Sequence, residues 1–415
     1  MVKRRIIKIK IRNLNIQDSF KIQGLFYFNE FEYYGIFSSD GFNFHLNFIS
    51  DKCNLPQDVD EIEFLASNGE KLILWNGICE GSKINTPGFN EYTYLFPQFW
   101  VTQNQNILDN FYFSDAIIDF SGLKQIVNFT PYTIKKNTIK RTYEINLSTN
   151  NSKTLLPEKN GMTLKLMRNY EHTSNIYKEN KFTYENLFKI SYSEPADSIT
   201  CINNILDINY LFSFITNEKH KTKKIILKSK NALYYVFISN PFVFKEKHKK
   251  SILPVTNDFY EKYFPKIYSF YLQNSQLFED IFYLYINVMY EKKFVNHYLL
   301  NLLKINEGLF NRFIRDDNTN LKEKYKELLD SLDHELQEYL KSLIDYNENE
   351  LNTFLKDFRH YHSHYFPKSK KLLYKNESNF KVSNYVLQLH KAFIFKQIGV
   401  KESDIISLLK HTHQY

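Results

Sequence analysis

Glycine and proline are scarce in this chain, 11 and 10 among 415 residues, well under the roughly 12% that average usage would supply. That shortage excludes collagen-like, Gly-rich and proline-rich disordered chains. Cysteine is scarcer still. Cys53, Cys79 and Cys201 are odd in number, far apart and in no C-x-x-C pair, so neither a disulfide framework nor a thiolate zinc site is indicated, and a reducing cytoplasm is the expected setting. Long apolar runs are missing too: the longest, Ile281 to Tyr290, contains Asn287 and reaches only about half of the roughly 20 residues that a spanning helix needs. The opening MVKRRIIKIKIRN begins like a signal peptide, but Lys8, Lys10 and Arg12 break what would have to be its apolar stretch. No secretion signal and no membrane association are expected. Arginine is the last shortage, with eight residues supplying few of the 54 Lys and Arg, so each arginine carries more information than any lysine.

What is abundant is aromatic side chain, 31 Tyr and 37 Phe within a 17% aromatic total. The length suits two or three cores. The formal charge of +8 permits an anionic partner without demanding one. Two halves with different hydrophobic periods can be read along the chain. Up to about residue 245 the period is two: Ile7, Ile9 and Ile11 alternate with Lys8, Lys10 and Arg12; Phe42, Phe44, Leu46 and Phe48 alternate with polar residues; so do Met162, Leu164 and Leu166. Turn signals at Ser39-Asp40-Gly41, Ser67-Asn68-Gly69, Thr86-Pro87-Gly88 and Lys159-Asn160-Gly161 separate such segments. The expectation is a β-rich, mainly antiparallel domain over residues 1–245, interrupted by a helix around Cys201 to Asn217. Near its end, Lys219 to Lys250 holds ten lysines around the apolar segment Ala232 to Ser239. It reads either as a patch facing a polyanion or as a solvated edge strand with lysine gatekeepers, and the edge strand is the expected reading.

From about Pro254 the period becomes 3.6. Leu321, Tyr325, Leu328, Leu329, Leu332, Leu336, Tyr339, Leu340 and Leu343 predict one long amphipathic helix. Shorter stripes run through Ile281, Tyr285 and Val288; through Leu299, Leu302, Leu303, Leu309, Phe310 and Phe313; and through Val382, Tyr385, Leu389 and Phe393, with Gly399 as a stop. Residues 255–415 are therefore expected to form an all-α bundle, and the whole chain an α+β protein.

The densest chemical group is Arg359-His360-Tyr361-His362-Ser363-His364-Tyr365, directly after the apolar positions Leu351, Phe354, Leu355 and Phe358. Three readings compete. On a strand, H-x-H-x-H would line three imidazoles on one face for a metal; on a helix only His360 and His364 share a face, and no third ligand is identifiable. A structural reading makes these half-exposed residues at a helix start, paired with nearby Asp or Glu. In the third reading, Arg359 holds a phosphate and stabilises the charge of a pentacovalent transition state while a histidine moves a proton. With RNA the 2′-hydroxyl is an internal nucleophile, and neither metal nor cofactor is required. Eight arginines and twelve histidines in 415 residues give an R-x4-H spacing about 0.2 times by chance, so spacing alone is weak evidence.

The helical half resembles the HEPN superfamily of helical-bundle RNases, whose signature is Arg, a polar residue, three or more further residues and His, as in Arg359 to His364. The whole chain resembles the ApeA-type anti-phage proteins through Gly24-Leu25-Phe26-Tyr27-Phe28, Gly35 to Gly41, Ile305 to Arg312, Arg359 to Pro367 and Val382 to Gly399. The resemblance implies a metal-independent endoribonuclease in abortive-infection defence, without cofactor. Arg359 would bind the scissile phosphate and His364 would be the general acid/base. His360, where the family commonly has Asn, would be a supporting polar residue. Tyr361, His362 and Tyr365 would lie against substrate. Cleavage would leave a 2′,3′-cyclic phosphate. RNA, with tRNA among the candidates, is the implied substrate, a homodimer through the HEPN domain the implied assembly, and a bacterial cytoplasm the implied setting. The β domain would then receive a phage-derived trigger. Glu307 could orient such a site, although a solvated helix carboxylate is the expected reading. The rival from another class is a catalytically silent bundle that dimerises or binds nucleotides beside a ligand-sensing β domain.

Overall fold

The computed structural model describes residues 10–412 apart from 29, 53–54, 86–87, 103–110, 122, 124–131, 138–141, 148–151, 176–178, 217–219, 240–256, 291–294 and 365–375. The chain divides into two compact units: Met1–Lys124, Phe129–Asp207 and Lys221–Lys250 form the first, and Gln125–Asn128, Ile208–His220 and Ser251–Tyr415 the second.

The first unit begins with a closed barrel. Strands β1 (Phe20–Phe28), β2 (Phe31–Ser39), β3 (Phe44–Ser50), β4 (Asp58–Ala66), β5 (Lys71–Asn85) and β6 (Phe89–Phe96) pair antiparallel in the ring β5-β4-β1-β2-β3-β6, which the β5–β6 pairing closes. Closure leaves these six strands without a free edge along the ring. Alternation decides which residues face in. Phe26, Phe37, Phe48, Phe64, Tyr94 and Phe96 are buried, while Tyr27, Tyr34 and Leu65 stay exposed. The rings pack edge-on, as in Phe26 against Phe48 at 5.0 Å, or stacked, as in Phe26 on Phe64 at 6.3 Å, so part of the aromatic abundance of the sequence fills this interior. The turn at Asp40-Gly41 follows its residues: the Asp40 carboxylate accepts from the backbone of Phe42 and Asn43, and Gly41 takes a left-handed φ of 93°.

The sheet continues beyond the ring. The first half of β5 also pairs with β7 (Gln98–Thr102), and the order runs on through β15 (Leu233–Ile238), β14 (Thr222–Lys228), β8 (Tyr112–Phe120), β13 (Glu179–Asp197), β12 (Met162–Asn175) and β11 (Ser152–Lys159). A separate hairpin joins β9 (Tyr132–Asn137) and β10 (Thr142–Leu147). Two expectations are corrected here. The segment Ala232 to Ser239 is no edge strand, because β15 is hydrogen-bonded to β14 on one side and to β7 on the other. Ile11 sits not in a strand but in a 3₁₀ turn, Ile11–Asn13, whose first N–H donates to the buried Glu70 carboxylate at 2.7 Å; Ile7 and Ile9 lie outside the described residues. Phe42 belongs to the turn before β3, whereas the other two-period segments lie in β3 and β12.

Helix α1 (Ser198–Thr216) contributes its first half to the first unit and its second half to the second. The second unit is helical: α2 (Asn257–Gln273), α3 (Ser275–Tyr290), α4 (Val295–Phe313), α5 (Leu321–Asp330), α6 (His334–Lys341), α7 (Glu348–His364), α8 (Asn376–Ile398) and α9 (Glu402–Thr412). The expected stripes are buried in α3, α4 and α8, and Gly399 ends α8 with a φ of 81°. The single long helix expected over Leu321 to Leu343 is instead two, α5 and α6, and the break has a physical cause. Ser331 closes α5 by donating to the Leu328 carbonyl, and the ammonium of Lys396 on α8 binds the Ser331 carbonyl at 2.8 Å and the Asp333 carboxylate at 2.6 Å. Gln337 takes up the Leu332 carbonyl. With those groups satisfied, the chain turns while Leu332 and Leu336 both remain buried.

Candidate active site

Helix α7 carries the Arg/His segment, and its start is written in the sequence. Asn347 and Glu350 form a reciprocal cap, the Asn347 side chain accepting from the Glu350 N–H at 3.0 Å and the Glu350 carboxylate from the Asn347 N–H at 3.1 Å. Leu351, Phe354, Leu355 and Phe358 then bury one face. Arg359 follows at the margin of that face, with 40% of its side chain exposed. His360, Tyr361, His362 and position 364 beyond it occupy the last two turns rather than a strand, so the three-imidazole strand face does not form.

Helix α4 supplies the partner. Glu307 lies on the polar margin of the α4 stripe, 22% exposed, and Arg359 donates from Nη2 to its Oε2 at 2.8 Å. The expected solvated carboxylate is therefore paired. One carboxylate oxygen occupies one of the five guanidinium donors, leaving a fork that can hold a phosphate. α4 approaches α3 closely at this level, because a Cβ on Gly308 would stand 2.8 Å from the Ile281 methyl.

His362 packs its ring against Phe358 at 4.4 Å and Tyr361 at 4.9 Å. Burial, with the nearby His297 of α4, lowers its pKa below the usual histidine range, which keeps it neutral near pH 7. His360 is exposed, and Tyr361 is 38% exposed. Position 364 is the last residue of α7; the side chains of Ser363 and His364, and all of Tyr365, lie outside the described residues. The backbone nonetheless fixes a geometry. At 100° per residue, position 364 lies about 140° around the axis from Arg359 but about 40° from His360. Arg359 shares its face with positions 362 and 363, and position 364 shares its face with His360. Positions 359 and 364 thus fall on different faces of one helix.

Behind Glu307, the adjacent Asn306 is fully buried and its Oδ1 meets Nε2 of His390 on α8 at 3.3 Å. His390 is enclosed, and burial pushes its pKa down to about 3. This contact fixes α4, and with it Glu307, against α8. Sequence reasoning did not single out His297 or His390. The stripe through Leu389 and Phe393 implies that α8 has a buried face but not that His390 lies on it, because α8 is buried around most of its girth from Tyr385 to Phe395.

No curated protein and no solved structure matches the chain. Residues 18–260 match the family described as ApeA N-terminal domain 1. That span takes in the barrel, the rest of the sheet, α1 and the start of α2, and bears out the ApeA-type resemblance for the β-rich part. Since the match covers more than half of the 415 residues, the chain belongs to the ApeA N-terminal domain 1 family.

Proposed function

We propose that the helical part is a metal-independent endoribonuclease of the HEPN type and that the protein acts in abortive-infection defence against phage. Membership in the ApeA N-terminal domain 1 family supports the defence role. The observation that carries the catalytic reading is Arg359: one of eight arginines, held at 2.8 Å by Glu307 on a second helix while 40% of it stays open, and followed at the same helix end by His364. A guanidinium fixed by a carboxylate and open on its other edges is suited to an oxyanion.

In this reading Arg359 holds the scissile phosphate and neutralises the charge that grows on its oxygens. His364 takes the 2′-hydroxyl proton as the 2′-oxygen bonds to phosphorus. The bond from phosphorus to the 5′-oxygen breaks, and that oxygen leaves with the proton that His364 gives back, so the histidine is regenerated and a 2′,3′-cyclic phosphate remains. His360, on the face of position 364, supports the histidine. The exposed Tyr361 offers a ring for a base, and His362 and Tyr365 extend that surface. Because Arg359 and position 364 point about 140° apart on one helix, a cleft shared by two copies would bring one chain's arginine to the other's histidine. A homodimer through the helical part follows, acting on RNA in a bacterial cytoplasm, with the β-rich part receiving the trigger.

The test is cleavage of total RNA and of tRNA by purified wild type, Arg359→Ala and His364→Ala, with and without EDTA. Loss of cutting in both variants at unchanged melting temperature, and no effect of EDTA, is expected. Undiminished cutting by both variants overturns the assignment, and cutting that vanishes with EDTA and returns with zinc or manganese moves it to a metal site.

A further inference from the structure

Within the lysine-rich stretch singled out in the sequence, the β14–β15 hairpin lines a cavity of about 650 Å³ with Lys228, Ser229, Lys230, Asn231, Leu233 and Tyr235. Its charge is unbalanced. Lys228 stands opposite Asp115 of β8, but that carboxylate is taken: Lys189 binds it at 2.9 Å and Ser191 donates to it at 2.7 Å. Burial opposes ionisation of Asp115, yet Lys189 and Ser191, with the charge of Lys228 nearby, hold its pKa below the usual carboxylate range. Lys228 and Lys230 are both exposed and both line the cavity, whose lining holds no carboxylate among the described residues, so their positive charge is only partly offset by an Asp115 that Lys189 already binds. The loop between them is closed by hydrogen bonds: Ser229 donates from N–H to the Ala232 carbonyl at 2.9 Å and its hydroxyl accepts from the Ala232 N–H at 3.1 Å. Tyr235, half-buried, and Leu233, directly across from Lys228 and 43% exposed, add apolar surface to the lining.

Two lysines, amide and hydroxyl groups, an aromatic ring and an exposed leucine around a space of small-molecule size suit a molecule with a polyphosphate at one end and a planar ring at the other. We propose that this cavity binds a nucleoside triphosphate, its phosphates on Lys228 and Lys230 and its base against Tyr235 and Leu233. Lysines bind phosphate as point charges, and a tyrosine face accepts any base. The site lies wholly within the first unit and does not depend on the ribonuclease reading.

Isothermal titration of the full chain with ATP, GTP, CTP and UTP, with inorganic triphosphate, with adenosine and with a short single-stranded RNA tests it. At least one nucleoside triphosphate should bind, inorganic triphosphate more weakly and adenosine not measurably. Lys228→Ala with Lys230→Ala should weaken the nucleotide at least tenfold at unchanged melting temperature. Lys228→Arg with Lys230→Arg should retain it, and Lys322→Ala, an exposed lysine of α5, should bind as wild type does. Absence of heat with all four nucleotides, equal affinity in the double alanine variant, or RNA binding through these lysines more tightly than any mononucleotide would each overturn the proposal.

Discussion

Acid should loosen the helical part through one residue, His390. Buried on α8 with its Nε2 against Asn306, it is held neutral down to a pKa of about 3, against 6.5 for an unhindered histidine. Between those values the unfolded chain binds a proton that the folded chain refuses, so the contribution is fully present above pH 6.5 and is lost as pH falls through that window. Protonation in the unfolded state alone makes the loss about 2 kcal/mol between pH 8 and pH 5. His390→Gln removes the titration and keeps an amide within reach of Asn306. Urea titrations of the full chain, followed by helical ellipticity at pH 8 and pH 5, give the comparison. The wild type should lose about 2 kcal/mol more than the variant over that interval, because every other titrating group is common to both. Equal losses would refute the reasoning and mean that the imidazole gains a proton in the folded chain.

The barrel should be intolerant at Gly24, where an added Cβ would run into the Leu65 carbonyl and the Phe64 ring; Gly24→Ala is expected to destabilise by 1–3 kcal/mol or more, read as a lowered melting temperature, and Gly69→Ala, with open space around it but a φ of 87°, should cost about 1 kcal/mol through strain alone. Glu307→Gln should change stability by less than about 1 kcal/mol, since its pair is partly exposed, yet lower kcat for RNA cleavage more than it alters KM by releasing Arg359 from its fixed orientation; Glu307→Asp should recover little, being one methylene short of the guanidinium, and an unchanged kcat in Glu307→Gln would count against the positioning role.

The two halves were legible because period two and period 3.6 differ over many residues, and burial follows those periods in β3, β12 and α4. The barrel was not legible. Ring closure depends on β5 reaching β6 on one edge while β4 holds the other, and nothing local in Lys71 to Asn85 encodes its three partners, β4, β6 and β7. The break between α5 and α6 was hidden because Leu332 and Leu336 continue the stripe across it, and the lysine that stabilises the turn, Lys396, lies more than sixty residues away. The lysine-flanked strand was misread as an edge because its charge suggested solvent, whereas the pairing of β15 with β7 is a long-range fact. At the site, Arg359 could be found by its rarity and its spacing to His364. Its link to Glu307, 52 residues away, needed the packing of α4 on α7, and the roles of His297 and His390 likewise depend on which helix faces which.

If Arg359 and His364 cut RNA during infection, sequencing of RNA ends from phage-infected cells that carry the wild type or His364→Ala will show it. A set of 2′,3′-cyclic phosphate ends present only with the wild type, and only after infection, is the predicted result; identical ends in both strains would contradict it.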